Sequence, residues 1–534
     1  MRTIILIILS LFCSAVLAAE RPNIILLVAD DMGFSDLGSY GSEIQTPNLD
    51  LLAEHGLRFT QFYNTARCWS TRAALMTGYY PQQIGADPFK KGTVLPKWSP
   101  TLPHYLKPLG YQCYHSGKWH VNGAPNVVAD GGFDHSYLLN DHNRNFNPQN
   151  HSYDDKPLPP VKAGTDFYTA TEITNRTLRQ LDEHFQNDKD KPFFVFTAYT
   201  VPHFPLQAPA QDIAKYKDKY LKGWDAVRSE RYNRLKQLGI VLCPLSPREE
   251  TVGPPYPQNN LAPLGGGEVL LPLAWDTLSE EQKHFQAGKM AVHAAMVDRM
   301  DAEIGRILDK IKANGAWDNT VIFFLSDNGA SAEIMIRGDG HNPDAAPGSA
   351  ETFLCLGPGW STASNTPFRR HKVWNHEGGI STSFLVHYPK GIKDPGKLRN
   401  TPGHVVDIVP TILDFAGAPG RTASLPEDAP PFSGVSLAPA ILSGKEVQRD
   451  EIYFEHEGNA ALRSGDWKVL YTKTGEQKPQ IPAAQSEGTA DWALYNLAVD
   501  RSEQNNLAGV EPEMRTKLVS RWRELNRQYR QQAE

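Results

Sequence analysis

Reactive chemistry in this chain starts with a cysteine and an arginine four residues apart. They lie in the run Cys68-Trp69-Ser70-Thr71-Arg72-Ala73-Ala74-Leu75-Met76-Thr77-Gly78. The run predicts a short helix that Ser70 or Thr71 can cap and that Gly78 closes in a left-handed conformation. Cys68 then sits beside a helix N-terminus, where free N–H groups and the helix dipole favour an anion, with Arg72 one turn away. Such a place suits a nucleophile that attacks an anionic ester. A buried structural cysteine before an ordinary helix has the same local sequence, so other segments must decide.

Those segments lie at the ends of apolar runs. Residues 23–29 end in Asp30-Asp31, and 321–326 in Asp327-Asn328-Gly329; 192–199 lead to His203, and 111–116 to Lys118-Trp119-His120. In open α/β sheets, ligands bind beyond the carboxyl ends of the strands. Three carboxylates and an amide make an oxygen-only set suited to a hard cation, Ca²⁺ or Mg²⁺, and no His/Cys cluster has zinc spacing. Lys118 and His120 are two apart, so an extended segment projects both to one face with Trp119 behind. Lys372 stands in the basic stretch Arg369-Arg370-His371-Lys372. Singly, each has an ordinary reading as a turn, a cap or a solvated charge. Their joint placement is what points to a site.

The elements that would position them alternate between buried apolar strands, including 384–387, and helical patterns at 48–55, 170–185, 279–313 and 404–416. This predicts an α/β fold whose sheet is covered on both faces. A Pro/Gly-rich stretch, 243–274, reads as an inserted loop or lid, and another, 417–443, leads to a smaller C-terminal unit. The boundaries expected are 1–19 for a signal, 20–443 for a catalytic domain and 444–534 for a C-terminal subdomain of short strands and a final helix.

Residues 1–19 have the pattern of a secretory signal: Arg2, an apolar core, and small residues before the cleavage point. The expected location is therefore secreted or periplasmic, with no membrane span. A net charge of -6 without a long basic run argues against nucleic acid as a partner. Of five cysteines, Cys13 leaves with the signal; Cys68, Cys113, Cys243 and Cys355 are enough for two disulfides, though a special Cys68 leaves one of the others unpaired.

Taken in order, the motifs resemble those of the type I sulfatases of the alkaline-phosphatase-like superfamily. They are Pro22 to Asp31, Thr46-Pro47-Asn48-Leu49-Asp50, the cysteine run, Gly117-Lys118-Trp119-His120, Ser326-Asp327-Asn328-Gly329, Glu377-Gly378-Gly379 and Asp407-Ile408-Val409-Pro410-Thr411. Cys355 to Trp360 and Asn365 to Arg369 are similar to the bacterial arylsulfatase branch. The resemblance implies a large mixed sheet sandwiched by helices, with a smaller C-terminal antiparallel sheet and helix. It implies an arylsulfatase-type hydrolase acting on a sulfated small molecule or the end of a sulfated sugar. Cys68 would be oxidised by a formylglycine-generating maturation enzyme to formylglycine, whose hydrate attacks sulfur and passes through a covalent sulfate hemiester. One Ca²⁺ would be held by Asp30, Asp31, Asp327, Asn328 and the modified Cys68. Arg72 and Lys118 would orient the formylglycine, His120 would break down the hemiester, and His203 with Lys372 would hold sulfate and assist the leaving group. The chain departs from the usual motif in having Ser70, where Pro or Ala is the rule. A two-metal phosphatase of the same superfamily would need further Asp/His ligands, and an inactive sulfate- or glycan-binding protein would need an unconverted Cys68.

Overall fold

A computed structural model describes residues 21–86, 92–420, 429–473, 489 and 491–534. The expected signal at 1–19 lies outside the described residues. The first strand shows how the sheet is built. In β1 (Asn23–Ala29), Ile24, Leu26 and Val28 enter one apolar core while Ile25, Leu27 and Ala29 enter another on the opposite face. A strand buried on both sides must be apolar at every position, which is why it reads as a continuous run.

The strands that follow are β2 (Leu57–Tyr63), β3 (Gln112–Gly117), β4 (His135–Leu139), β5 (His151–Tyr153), β6 (Lys156–Pro157), β7 (Phe193–Ala198), β8 (Thr320–Ser326), β9 (Ser381–His387), β10 (Leu398–Arg399) and β11 (Gly403–His404). They form one 11-stranded sheet in the order β10-β2-β9-β8-β1-β7-β3-β4-β5-β6, with β11 on β2. The centre, β8-β1-β7-β3-β4, is parallel, so these strands end at one edge. Antiparallel β9 starts at that edge, and β2, antiparallel to β9, ends there. Six segments thus deliver their next residues to one rim.

The helix Glu280–Ala313, opened by a Ser279/Gln282 capping box, and the helix Thr169–Asn187 cover one face. The helices Cys68–Thr77 and Ile408–Phe415 pack on the other. The last four strands, β12 (Ile452–His456), β13 (Asn459–Ser464), β14 (Trp467–Tyr471) and β15 (Ala493–Asn496), make a separate antiparallel sheet. The helix Pro512–Gln532 lies against it, with Trp522 stacked on Tyr453. This is the mixed-sheet α/β fold with a smaller antiparallel sheet and helix that the resemblance implies. Among the described residues no helix is long and apolar enough to cross a membrane. Cys68, Cys113, Cys243 and Cys355 are all free and buried, so the two disulfides that the count permits do not form.

Candidate active site

The helix that carries the cysteine runs from Cys68 to Thr77, so Cys68 is its first residue rather than the residue before it. Neither Ser70 nor Thr71 caps it: Arg67 is the N-cap, without a side-chain bond. Ser70 and Thr71 lie inside the first turn and turn back to Thr65. The Thr65 hydroxyl donates to Ser70 Oγ at 2.7 Å, and Thr71 Oγ1 accepts the Thr65 backbone N–H at 3.0 Å. The helix N–H groups beside Cys68 therefore lack a capping side chain. Gly78 closes the helix at φ 77°, as expected.

Backbone bonds across the strand ends fix the converging loops. Asp30 N–H donates to Val201, Lys118 N–H to Ala198, Asp327 N–H to Ala29 and Lys372 N–H to Ala330. A Cβ on Gly329 would lie 1.9 Å from the Gly378 carbonyl oxygen, so only glycine lets the loop after β8 pass the Glu377-Gly378-Gly379 segment. Asp31, Ala66, His120 and Val373 take left-handed φ of 65°, 63°, 55° and 85°. Non-glycine residues adopt such angles only when their surroundings impose them.

On this frame the charged groups interlock. Lys118 Nζ donates to Asp30 Oδ2 at 2.6 Å. Arg72 Nε donates to Asp327 Oδ2 at 2.8 Å, and its Nη1 to the Lys118 carbonyl at 2.8 Å. Lys372 Nζ donates to Asp31 Oδ2 at 2.8 Å and lies 3.3 Å from Glu333. Asn328 Nδ2 donates to Asp31 Oδ1 at 2.6 Å, and His203 Nε2 is 3.6 Å from Asp31 Oδ2. Arg67, Arg72, Lys118 and Lys372 all lie within electrostatic range of the Cys68 sulfur. All ten residues that the motifs single out come together at the rim.

Lys118 and His120 share the site for a different reason from strand alternation. β3 ends at Gly117, and the left-handed turn at His120 brings its ring back toward Lys118 and Arg72. Trp119 is buried behind, donating to the Ala124 carbonyl at 2.7 Å.

Burial works to raise the Asp30 pKa, but Lys118, His203, Arg72 and Lys372 override it and hold the carboxyl well below the usual range. Burial lowers Lys372, yet Asp31 and Glu333 outweigh it and keep the ammonium charged. His120 and His203 are pushed far below the ordinary histidine range by burial first, then by the nearby Lys118 and Lys372 respectively. Both rings are neutral at pH 7.

The donor set fits a hard cation. Asp30 Oδ1 and Asn328 Oδ1 are buried with no hydrogen-bond partner, an arrangement that a cation between them would satisfy. Single ligand atoms of Asp30, Asp31 and His203 also lie within 4.8 Å of one another.

Three further groups belong to the site and carry no strong sequence signal. Glu333, buried between Lys372 and Arg67, is held down to about 2 as those cations overcome burial. Arg67 donates to the Tyr256 hydroxyl at 2.6 Å, and that hydroxyl donates to Glu457. The 243–274 stretch and the β12–β13 turn therefore meet beside the helix that begins at Cys68. The third is His142, in the loop after β4.

A family model described as Sulfatase matches residues 22–418. The chain belongs to the sulfatase family. This sulfatase is 30% identical to an uncharacterised sulfatase of Schizosaccharomyces pombe over 94% of its own chain and 93% of the relative. It is 32% identical to an arylsulfatase of Klebsiella aerogenes, covering 78% of this chain and 92% of the relative. Among solved structures, Ps i-CgsB in complex with k-i-k-neocarrahexaose superposes with a TM-score of 0.66 at 23% identity, covering 96% and 94% of the two chains. The sulfatase hydrolyses sulfate esters to an alcohol or phenol and inorganic sulfate.

Proposed function

We propose that Cys68, oxidised to formylglycine by a maturation enzyme, is the nucleophile for one terminal sulfate ester on a phenol or a sugar end. The observation that carries this is the convergence of Arg72, Lys118 and Lys372 on an uncapped helix N-terminus that starts at Cys68. Formylglycine supplies a hydrated aldehyde whose hydroxyl can attack sulfur. Asp30, Asp31, Asp327, Asn328 and the modified Cys68 would hold one Ca²⁺, which would supply positive charge where negative charge develops.

The chain's own residues do the rest. Arg72 and Lys118 hold the nucleophile's surroundings rigid because each is tied to a carboxylate. His203 and Lys372 hold sulfate. As the S–O bond to the alcohol breaks, the departing oxygen can take a proton from the Lys372 ammonium, which Asp31 and Glu333 keep charged. His120 is neutral and has a buried Nδ1 without a partner, so it can accept the proton whose loss releases sulfate.

The few cations and the absence of a long basic run favour a single sulfate over the interior of a polyanion. The oligosaccharide bound by Ps i-CgsB favours a sugar end as one substrate. The pattern of residues 1–19 supports export, to the periplasm or the medium. The deciding experiment is a mass spectrum of the peptide containing Cys68 from active protein, paired with turnover of Cys68→Ala. Aldehyde at Cys68 and no turnover in the folded variant are expected. An intact thiol in active protein, or near-normal activity of the variant, would refute the assignment.

A further inference from the structure

Three histidine rings, rather than the two expected from the motifs, meet at this site. His142 lies 6.4 Å from the His120 ring, nearly parallel to it at 25°, and 5.6 Å from the His203 ring, edge to face at 83°. Its loop leaves the carboxyl end of β4, so the parallel sheet itself aims it at the rim.

Both sides of His142 are clamped. Asp141 pairs with Arg144 at 2.8 Å and accepts the Gln149 N–H at 2.8 Å. Arg144 in turn grips Asp339 with two bonds of 2.6 Å. Asn145 donates to the Pro205 carbonyl at 3.1 Å and accepts from the Thr169 hydroxyl at 2.6 Å. The ring is therefore held in place while its own nitrogens bond to none of the described residues.

Depth separates His142 from the sulfate-holding groups. Lys118, Lys372 and His203 are buried to 5% exposure or less, and each faces Asp30 or Asp31. His142 is half-buried and forms no ion pair with a carboxylate among the described residues. With sulfate on this buried cationic floor, the alcohol half of the ester would extend toward the more exposed side of the site, where His142 lies. We propose that His142 is a specificity-determining residue that hydrogen-bonds a hydroxyl on the carbon next to the esterified one. A neutral imidazole offers one donor and one acceptor, as a hydroxyl does. Burial and then Lys118 push its pKa down to about 3, so it brings no charge that would serve sulfate instead. This rests on the reading of the site as one for phenol or sugar sulfates.

The test compares 4-nitrophenyl sulfate with 2-hydroxy-4-nitrophenyl sulfate, a catechol monosulfate that adds one hydroxyl beside the ester. The readout is the ratio of the two kcat/KM values; comparing variants by this ratio cancels leaving-group chemistry. Loss of one neutral hydrogen bond should lower the catechol-to-phenyl ratio roughly three- to tenfold in His142→Ala and His142→Phe. His142→Gln, which keeps a donor and an acceptor, should retain most of the preference. An unchanged ratio in His142→Ala overturns the proposal. So does a retained ratio in His142→Phe, which would mean that ring packing alone matters. A loss of inhibition by free sulfate as large as the ratio change would place His142 among the sulfate-holding groups and overturn it too. A wild-type enzyme with formylglycine that cleaves neither ester would instead overturn the substrate reading beneath it.

Discussion

Replacing Lys468 by methionine should cost the fold several kcal/mol and also slow the enzyme. Lys468 projects from β14, its Nζ 2.9 Å from Glu377 and 2.7 Å from Glu503, and all three side chains are fully buried. Glu377 Oε2 also accepts from the Tyr63 hydroxyl at 3.0 Å and from Arg501 at 3.1 Å, and Arg463 donates to that hydroxyl at 2.7 Å. Against burial, Lys468, Arg501 and Arg463 hold Glu377 down to about 2, so it stays ionised. Methionine fills much of the lysine volume but leaves two buried carboxylates facing fewer cations. Breaking a buried pair from one side costs about 3–5 kcal/mol, against a total stability of about 5–15 kcal/mol.

Urea unfolding followed by tryptophan fluorescence would read this as a lower midpoint. Lys468→Met with Glu503→Gln should recover about 1–3 kcal/mol, because it removes the surplus charge. Activity should fall as well. Glu377 opens the segment whose Gly378 and Gly379 abut Gly329 beside Asp327, and Lys372 lies just upstream. A single variant losing less than about 1 kcal/mol, the usual value of an exposed pair, would show that the cluster does not hold the C-terminal sheet to the site.

His120→Ala should give a burst of 4-nitrophenol followed by slow turnover, since the proton acceptor for sulfate release is gone; unchanged kcat with raised KM would reduce His120 to a binding group. Removing metal with a chelator should abolish activity, with Ca²⁺ restoring it; elemental analysis showing stoichiometric zinc in active enzyme would contradict the oxygen-only site. Asp36 is bonded to His293 and Arg231, which overcome burial and hold it down to about 2. Because folding lowers this pKa, the unfolded chain binds more protons between about pH 4 and 2. Its contribution, about 2 kcal/mol, is therefore present above the unfolded value and lost as pH falls through the folded one. Urea midpoints of the wild type and Asp36→Asn should converge over that window; a constant difference would contradict the shift.

The central strands are legible because burial on both faces demands an apolar residue at every step, and the catalytic motifs follow them directly. β2 is harder to read, since Arg58 and Gln61 interrupt its pattern while its neighbours remain buried. The helix Gly223–Gln237 is hidden for a related reason. Its buried face includes Arg228 and Arg231, and Arg231 pairs with Asp36 and Glu43, far away in sequence. The helix cap goes the same way, because Thr65, outside the run, engages Ser70 and Thr71. Glu333 and His142 become site residues only through contacts across the rim, which no local spacing encodes.

Charge balance explains why so many cations are spent on so few substrate contacts. Asp30, Asp31, Asp327 and Glu333 face Arg67, Arg72, Lys118 and Lys372, while His120, His142 and His203 are neutral. With the carboxylates ionised, the two sets cancel, and each cation is pinned by a partner instead of swinging in solvent. A divalent ion held there would give the site a net charge of about +2, matching the sulfate ester's single negative charge and that of a deprotonated nucleophile. On this reading the protein fixes the geometry with paired charges, and the net attraction would come from the metal. An enzyme with an overall charge of -6 can on this design hold an anion locally without a basic surface.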